Sequence, residues 1–346
     1  MMIKINRRDC IGAGLGALAF AASRKPARAS EAFKIVVTTT ETPLIPNSVL
    51  ELAADLGYYK QEGVDVEIVR VQQTPSAVAA LVSKQGHMAN ISVDSALQLT
   101  ARKQVPLKAV FSPNKSLPYL IAGRSSIKTI QDLAGGTFGV GRVGSLDHAL
   151  SALVLRKNGI DDAAIRFVSL GQPNVRAQAL AAGRIDATTM SIGVWLTIAD
   201  QRHLRVLVPE SEFYAAAPVL NKVNVVTDET LRSRADEIKA VTRAIIRLSR
   251  DFAREPQRWA EAMKKARPDV SAKDLEQLAT AYRRTWSVNG GLNREEIAAT
   301  IDWNYESDDF KGLPKVAVHD WIDFRILADV LKEVGVQPDQ DPPLHS

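Results

Sequence analysis

One order of apolar runs occurs twice in this chain, and that recurrence restricts the fold more than any composition figure. From Lys34 the sequence reads as a strand (Lys34 to Thr38), a polar loop, a helix ending at Gly57, a strand (Val64 to Val71), the break Gln73-Thr74-Pro75, a helix ending before Gly86 and a strand (Met88 to Val93). From Thr137 the order returns: a strand, a glycine loop, a helix ending at Gly159, the strand Ile165 to Leu170, Gln172-Pro173, a helix ending before Gly183 and the strand Ile185 to Met190. Pro75, Leu81 and Gly86 in the first copy answer to Pro173, Leu180 and Gly183 in the second. Alternating strands and helices imply parallel sheets, whose ligands sit beyond the carboxyl ends of the strands. The prediction is an α/β chain of two similar lobes facing each other across a cleft, against the competing reading of one large α/β enzyme domain.

Between the copies, Ala109 to Phe111 and Tyr119 to Ala122 read as strands, and Lys222 to Val226 follows the second copy. If the chain leaves lobe one near Gly123 and returns near Asn221, the two passages make a two-stranded hinge. The expected division is 30–123 with 222–336 for lobe one, 124–221 for lobe two, and a mobile tail over 337–346. The C-terminal part is helical: Thr227 caps a long amphipathic helix that buries Leu231, Ile238, Val241, Ile245 and Phe252, and Ser271 with Asp274 and Asn293 with Glu296 look like capping-box variants. Its many Arg and Lys residues read as solvated faces.

The stretch Thr137 to Leu155 (TFGVGRVGSLDHALSALVL) combines a strand, a glycine loop and a helix that Ser145 can cap. Free amides and the helix dipole at such a start favour a small anion. Gly139, Gly141 and Gly144 also spell G-x-G-x-x-G. A dinucleotide site needs an acid closing the next strand. Asp161 and Asp162 precede that strand, so the ribose clamp is on the wrong side.

Residues 1–29 read as an export signal: Arg7-Arg8 in a basic leader, the apolar run Ile11 to Ala22 and the A-x-A site Ala27-Arg28-Ala29. The paired arginines suggest the twin-arginine route, with Sec export the alternative. The segment carries six Lys/Arg and one Asp of the 44 basic and 39 acidic residues, so the mature chain holds 38 of each. No basic excess remains to favour nucleic acid or an anionic membrane. The single cysteine, Cys10, leaves with the signal, which excludes disulfides and thiol catalysis in the mature chain. His87, His148, His203, His319 and His345 are scattered without metal-ligand spacing, and no G-x-S-x-G occurs.

Glu51 to Ile68 (ELAADLGYYKQEGVDVEI) resembles the opening of solute-binding proteins of ABC importers, in the group of sulfonate, taurine, nitrate and thiamine-precursor binders. Ala53, Gly57, Tyr58, Tyr59, Gly63, Val64, Val66 and Glu67 carry the motif. Asp132-Leu133-Ala134-Gly135-Gly136 resembles the run that opens the second lobe, with Gly136 in place of the usual lysine, and Ala182-Gly183-Arg184-Ile185-Asp186-Ala187 resembles a third family run. The resemblance implies a periplasmic-binding-protein fold of the second type, each lobe a mostly parallel sheet flanked by helices. It further implies a periplasmic monomer with no cofactor, partnered by an ABC permease and its ATPase rather than by nucleic acid.

On that fold the strand-end loops face the cleft, and the candidate ligand-binding residues are Thr39, Thr40, Glu41, Ser92, Val93, Asp94, Arg142, Gly144, Ser145, His148, Gln172, Met190 and Ser191. The amides of Gly144 and Ser145 would hold the anionic end, with hydroxyls of Thr39, Thr40, Ser92 and Ser191 around it. Glu41 and Asp94 leave room for an amine on the ligand. His148 competes with a structural role, as do Tyr119 and Trp195, the candidate cleft walls. The expected function is non-enzymatic capture of a sulfonate or carboxylate for uptake. The alternatives are a thiamine-precursor (aminopyrimidine) binder, a related pyrimidine synthase-like enzyme, and an exported nicotinamide-dependent oxidoreductase. Mass spectrometry of the exported protein should find Ser30 or a close neighbour at the N-terminus, and retention of Arg7-Arg8 would overturn the export reading.

Overall fold

In the computed structural model the described residues are 31–115, 119–143, 146–217 and 219–337. The export segment expected over 1–29 and the tail beyond 337 lie outside them. The first half contains β1 (Phe33–Val37), α1 (Val49–Asp55), α2 (Tyr58–Gln61), β2 (Val66–Arg70), α3 (Thr74–Val82), β3 (Met88–Ser92), α4 (Val93–Ala101) and β4 (Leu107–Asn114). Then come β5 (Tyr119–Arg124), β6 (Thr137–Val140), α5 (Leu146–Lys157), β7 (Arg166–Ser169), α6 (Pro173–Ala181), β8 (Ala187–Ser191), α7 (Ile192–Leu196), β9 (Leu204–Val208) and α8 (Glu210–Ala216). The chain returns with β10 (Lys222–Thr227) and ends in helices, α9 (Asp228–Ser233), α10 (Ala235–Arg254), α11 (Pro256–Ala266), α12 (Ala272–Ala281), α13 (Arg294–Tyr305), α14 (Val318–Trp321) and α15 (Arg325–Val334).

The expected pair of sheets is present. Their orders are β2-β1-β3-β10-β4 and β7-β6-β8-β5-β9. In each, the first three strands are parallel and the fourth runs against its neighbours. The central strands carry buried apolar side chains on both faces, as in Phe33, Ile35, Val36 and Val37, because helices cover both sides of a parallel sheet. The fourth strands are exchanged: β10 reaches the first sheet after the whole second sheet has been laid down, and β5 opens the second sheet immediately after β4.

That exchange corrects the position of the first passage. Gly123 lies inside β5, paired with Ala187 of β8 and Arg205 of β9. The chain therefore leaves the first sheet between Asn114 and Tyr119, because the apolar run Leu120-Ile121-Ala122 is buried in the second sheet. The return falls between α8 and Lys222, beside the expected Asn221. A second difference concerns the helix expected from Thr227. Thr227 does cap, accepting the amide of Thr230 at 3.1 Å, but the helix breaks at Arg234 (φ −129°, ψ 30°). The Arg234 guanidinium is held there by Glu237 and lies 5.2 Å over the Phe33 ring.

The motif glycines serve the backbone. Gly57 and Gly63 both adopt φ of +78°, which turns the chain from α1 into α2 and from α2 towards β2. Tyr59 is buried between them and donates its hydroxyl to the Leu50 carbonyl at 2.8 Å. Asp186 of the third run accepts the Thr137 amide (2.9 Å) and hydroxyl (2.7 Å), tying β8 to β6. Burial works to raise the Asp186 carboxyl, but those bonds and Arg124 outweigh it and hold the pKa low. A Cβ at Gly139 would lie 2.6 Å from Ile185 Cδ1, so that glycine serves close packing within the second half.

Behind the first sheet, α10 buries Ile238, Val241, Ile245 and Phe252, the predicted stripe. Trp259, Tyr282 and Trp286 extend this core, with Trp259 and Tyr282 edge to face at 5.6 Å. Ser271 and Asn293 cap α12 and α13 through their side chains, as expected. Trp259 is 0 % exposed and donates Nε1–H to Ser48 Oγ at 2.9 Å. Trp259→Ala should cost about 3–5 kcal/mol, read as a lower urea midpoint, because a cavity and an unpartnered hydroxyl both remain.

Candidate functional site

The exchanged strands decide where side chains converge. Since β5 and β10 run against their neighbours, their first residues lie beside the last residues of β8 and β3: Tyr119 pairs with Ser191, and Lys222 with Ser92. At this edge of the second sheet a cavity of about 210 Å³ opens. Its floor is Tyr119, Thr189, Met190 and Ser191, with Asp147 from α5 and Pro173 and Arg176 from α6. Ile45, from the loop after β1, and Asn221, from the return passage, line it as well. Grooves of about 440 and 590 Å³ lie between α3 and α4 and between α1 and α11. They are larger, but each is lined by residues of the first half alone.

Arg176 is the chief polar group of the floor and is only 4 % exposed. Its Nε–H donates to Thr188 Oγ1 (3.2 Å), Nη1 to the Gly171 carbonyl (2.6 Å) and Nη2 to the Thr189 carbonyl (3.2 Å). Nη1 is also 3.3 Å from Asp147 Oδ2. That same carboxylate oxygen accepts the Gly141 amide at 2.7 Å. A Cβ at Gly141 would sit 3.1 Å from Asp147 Oδ1, so glycine lets the acid fold back against the loop without giving way. Burial lowers the Arg176 pKa, and the nearby Asp147 partly restores it. Tyr119 is raised by burial first and then by Asp147, with Arg176 opposing, so its phenol stays protonated at neutral pH. The neighbouring hydroxyls are also engaged: Thr188 donates to the Gly139 carbonyl at 2.7 Å, and Ser151 and Thr189 share a hydrogen at 2.7 Å.

Of the residues singled out in the sequence, the structure brings Met190, Ser191 and the candidate wall Tyr119 to the cavity, and the Ser191 hydroxyl also accepts the Val194 amide at 3.3 Å. Gly144 and Ser145 lie outside the described residues. Thr39 donates its hydroxyl to the Glu41 carbonyl, Thr40 is exposed, and the Glu41 carboxylate lies 3.5 Å from Arg267, which fastens the loop to the end of α11. Ser92 donates to Ser95 Oγ at 2.9 Å, and Asp94 is half-buried in the first turn of α4. Val93 is 1 % exposed, its side chain among the first half's core, and its amide donates to the Asn221 carbonyl at 3.0 Å. It offers the cavity no side chain, because the strand–helix junction points it inward. Arg142 and Gln172 are exposed, and Pro173 takes the lining place beside Gln172. His148 stands edge-on to Phe167 at 4.4 Å, and burial is the largest influence lowering its pKa, as for a structural histidine.

Arg176 and Asp147 are the members that sequence reasoning missed. Arg176 drew no reading of its own in the sequence, yet it precedes Ala177 and stands four residues before Leu180, both buried, on the apolar stripe of α6. An arginine on that stripe was the available signal.

The sequence profile of the family described as NMT1/THI5 like matches residues 48–258. The chain belongs to the NMT1/THI5-like family. Among solved structures, this family member is similar to a putative periplasmic sulfonate-binding protein of Methylobacillus flagellatus, with 15 % identity, TM-score 0.70 and coverage of 91 % of this chain and 98 % of that one. It is similar to the periplasmic aliphatic sulphonate binding protein of Escherichia coli (17 %, TM-score 0.61, 85 % and 92 %). It is also similar to the desulfurization enzyme DszB (15 %, TM-score 0.65, 87 % and 99 %). At these identities the likeness is one of fold, the two-lobed periplasmic-binding-protein architecture. Comparison with curated protein sequences gave no match.

Within this NMT1/THI5-like cleft the Arg176–Asp147 pair should behave as one unit. Arg176→Met leaves the carboxylate against apolar wall and should cost about 3 kcal/mol, the lower end of the range for halving a buried pair because Asp147 keeps some water. Adding Asp147→Leu should recover most of that loss in urea denaturation. A double variant as weak as the single would assign the effect to packing instead.

Proposed function

We propose that this chain is the exported ligand-binding component of an ABC-type importer, a monomer that captures a small organic anion, a sulfonate or carboxylate, between two lobes and delivers it to a membrane permease with its ATPase. The observation that carries the reading is the cavity at the strand ends, with walls from both halves: Ile45 and Asn221 on one side, Tyr119, Arg176 and Ser191 on the other. Its 210 Å³ corresponds to about seven waters' share of liquid volume, the scale of a short-chain sulfonate or carboxylate. The names carried by the similar structures, two of them sulfonate binders, support the same class. The lobes in this reading are residues up to 115 together with 222–336, and 119–217.

The halves touch beside the cavity. Ile192 and Leu196 of α7 pack against the first half's core, and Tyr214 of α8 donates to Glu296 of α13 at 2.5 Å. Such contacts form and break as lobes rotate about paired passages, and a ligand that prefers the closed arrangement shifts the balance towards it. The Thr188, Thr189 and Ser191 hydroxyls are committed to structural hydrogen bonds, which suits a receptor better than an enzyme. One observation favours a second ligand class: the Asp147 carboxylate lines the cavity and could pair with the amino group of an aminopyrimidine, a reading that family membership also fits.

A thermal-shift panel of 1-butanesulfonate, taurine, benzoate, butanoate and 4-amino-5-hydroxymethyl-2-methylpyrimidine separates these readings. An anion of the panel should raise the unfolding midpoint, and X-ray scattering at saturation should show a smaller radius of gyration. A response to the pyrimidine alone would move the assignment to the second class. Stabilisation without compaction would overturn capture by lobe closure.

A further inference from the structure

The second half's cation is already offset, since Arg176 faces Asp147. The first half presents a cation at the same edge that is not. Lys222 opens β10, and in register it lies between Ser92 of β3 and Asn114 of β4. Directly opposed residues of antiparallel strands project to one face, so Ser92, Lys222 and Asn114 form a row across three strands where β3 ends. The preceding residue, Asn221, lines the cavity.

The Lys222 ammonium donates to Thr38 Oγ1 at 2.8 Å, reaching from the start of β10 to the residue after β1. Thr38 in turn donates to the Asn90 carbonyl at 3.3 Å. Among the described residues Lys222 makes no ion pair, and a desolvated ammonium without a counter-charge is costly. Burial lowers its pKa, with no acid acting against that. Asn114 adds an independent observation. It is 0 % exposed, and among the described residues both its Oδ1 and its Nδ2 are without a hydrogen-bond partner. A buried amide that meets neither protein donor nor acceptor is rare and leaves two donors and an acceptor open to a partner.

We propose that Lys222, with Ser92 and Asn114 beside it, is the first-lobe anchor for the anionic group of the captured ligand, a sulfonate or carboxylate with one negative charge. The inference rests on the reading of the cleft as a ligand site and adds which wall holds the charge. A ligand oxygen here receives the ammonium and the Asn114 amide N–H, with the Ser92 hydroxyl joining them once it turns from Ser95 Oγ, while the organic part extends towards Tyr119 and Met190. Charge-assisted bonds of this kind are the strong ones, and this one also relieves an uncompensated cation. The Arg176–Asp147 side then contacts the ligand's neutral portion.

The test is calorimetric titration of wild type, Lys222→Met, Lys222→Arg and Asn114→Ala with 1-butanesulfonate, butanoate, neutral butanamide and 1-butylamine, with unfolding midpoints recorded alongside. Wild type should prefer one of the two anions to butanamide. Lys222→Met should lose roughly tenfold or more in affinity for that anion while its ligand-free midpoint holds or rises, since a lone desolvated charge has been removed. Lys222→Arg should regain most of the affinity, and Asn114→Ala should lose less than Lys222→Met. If the anion binds Lys222→Met as it binds wild type, the anchor is overturned and the capture reading stands. A preference for butanamide or butylamine overturns the anchor in the same way. No response to any probe, here or in the wider panel, would overturn both. Should Lys222→Met fail to fold, Asn114→Ala decides: unchanged affinity for the anion in that variant overturns the anchor.

Discussion

Everything at the cleft depends on the exchange of one strand between the two sheets. A parallel sheet brings the carboxyl ends of its strands to one edge, but a strand continuing in that direction would carry its own start to the far side. By running against their neighbours, β5 and β10 instead bring Tyr119 and Lys222 to the edge where β8 and β3 finish. The passages between the sheets consequently lie next to the cavity, and Asn221 belongs to both. The return passage between the sheets is thus continuous with the wall of the cavity.

The two walls differ in how their charges are settled. On the second-sheet side, Arg176 spends its donors on Thr188, two carbonyls and Asp147, and Asp147 spends one oxygen on both Arg176 and Gly141. Such a unit is rigid because any member's departure strands another in a poorly solvated place. On the first-sheet side, Lys222 has among the described residues only the Thr38 hydroxyl, and the Asn114 side chain has no hydrogen-bond partner among them. A fully satisfied wall specifies shape; an incompletely satisfied one is where a ligand's charge gains the most. The glycine loop, which looks like the natural anion site, has at least one amide already taken by Asp147.

The bulk of the molecule supports this edge unequally. The first sheet is backed by α10 and the Trp259–Tyr282–Trp286 core, whose members are all 0 % exposed. The second sheet has smaller cores around Phe138, Leu150 and Leu180, and it meets the first half through α7 and α8. Tyr282 donates to the Leu44 carbonyl at 2.8 Å, so the large aromatic core also fixes the loop that carries Ile45 into the cavity.

Local information in the sequence was enough for the element order, the two copies, the caps at Ser271 and Asn293, and the arrival of Met190 and Ser191 at a strand end, because periodicity and capping act over a few residues. It was not enough for the place of β5, since the run Leu120-Ile121-Ala122 is apolar enough for either sheet and only pairing with β8 and β9 decides between them. Nor could it separate Arg176 from the solvated arginines, or show that Asp147 turns back onto Gly141, because those roles need partners from neighbouring strands and loops. The clearest case is Lys222, whose hydroxyl partner Thr38 is 184 residues away in the chain. A contact of that range leaves no local pattern, and tertiary structure alone decided that an otherwise ordinary strand-opening lysine reaches across the strand ends to Thr38.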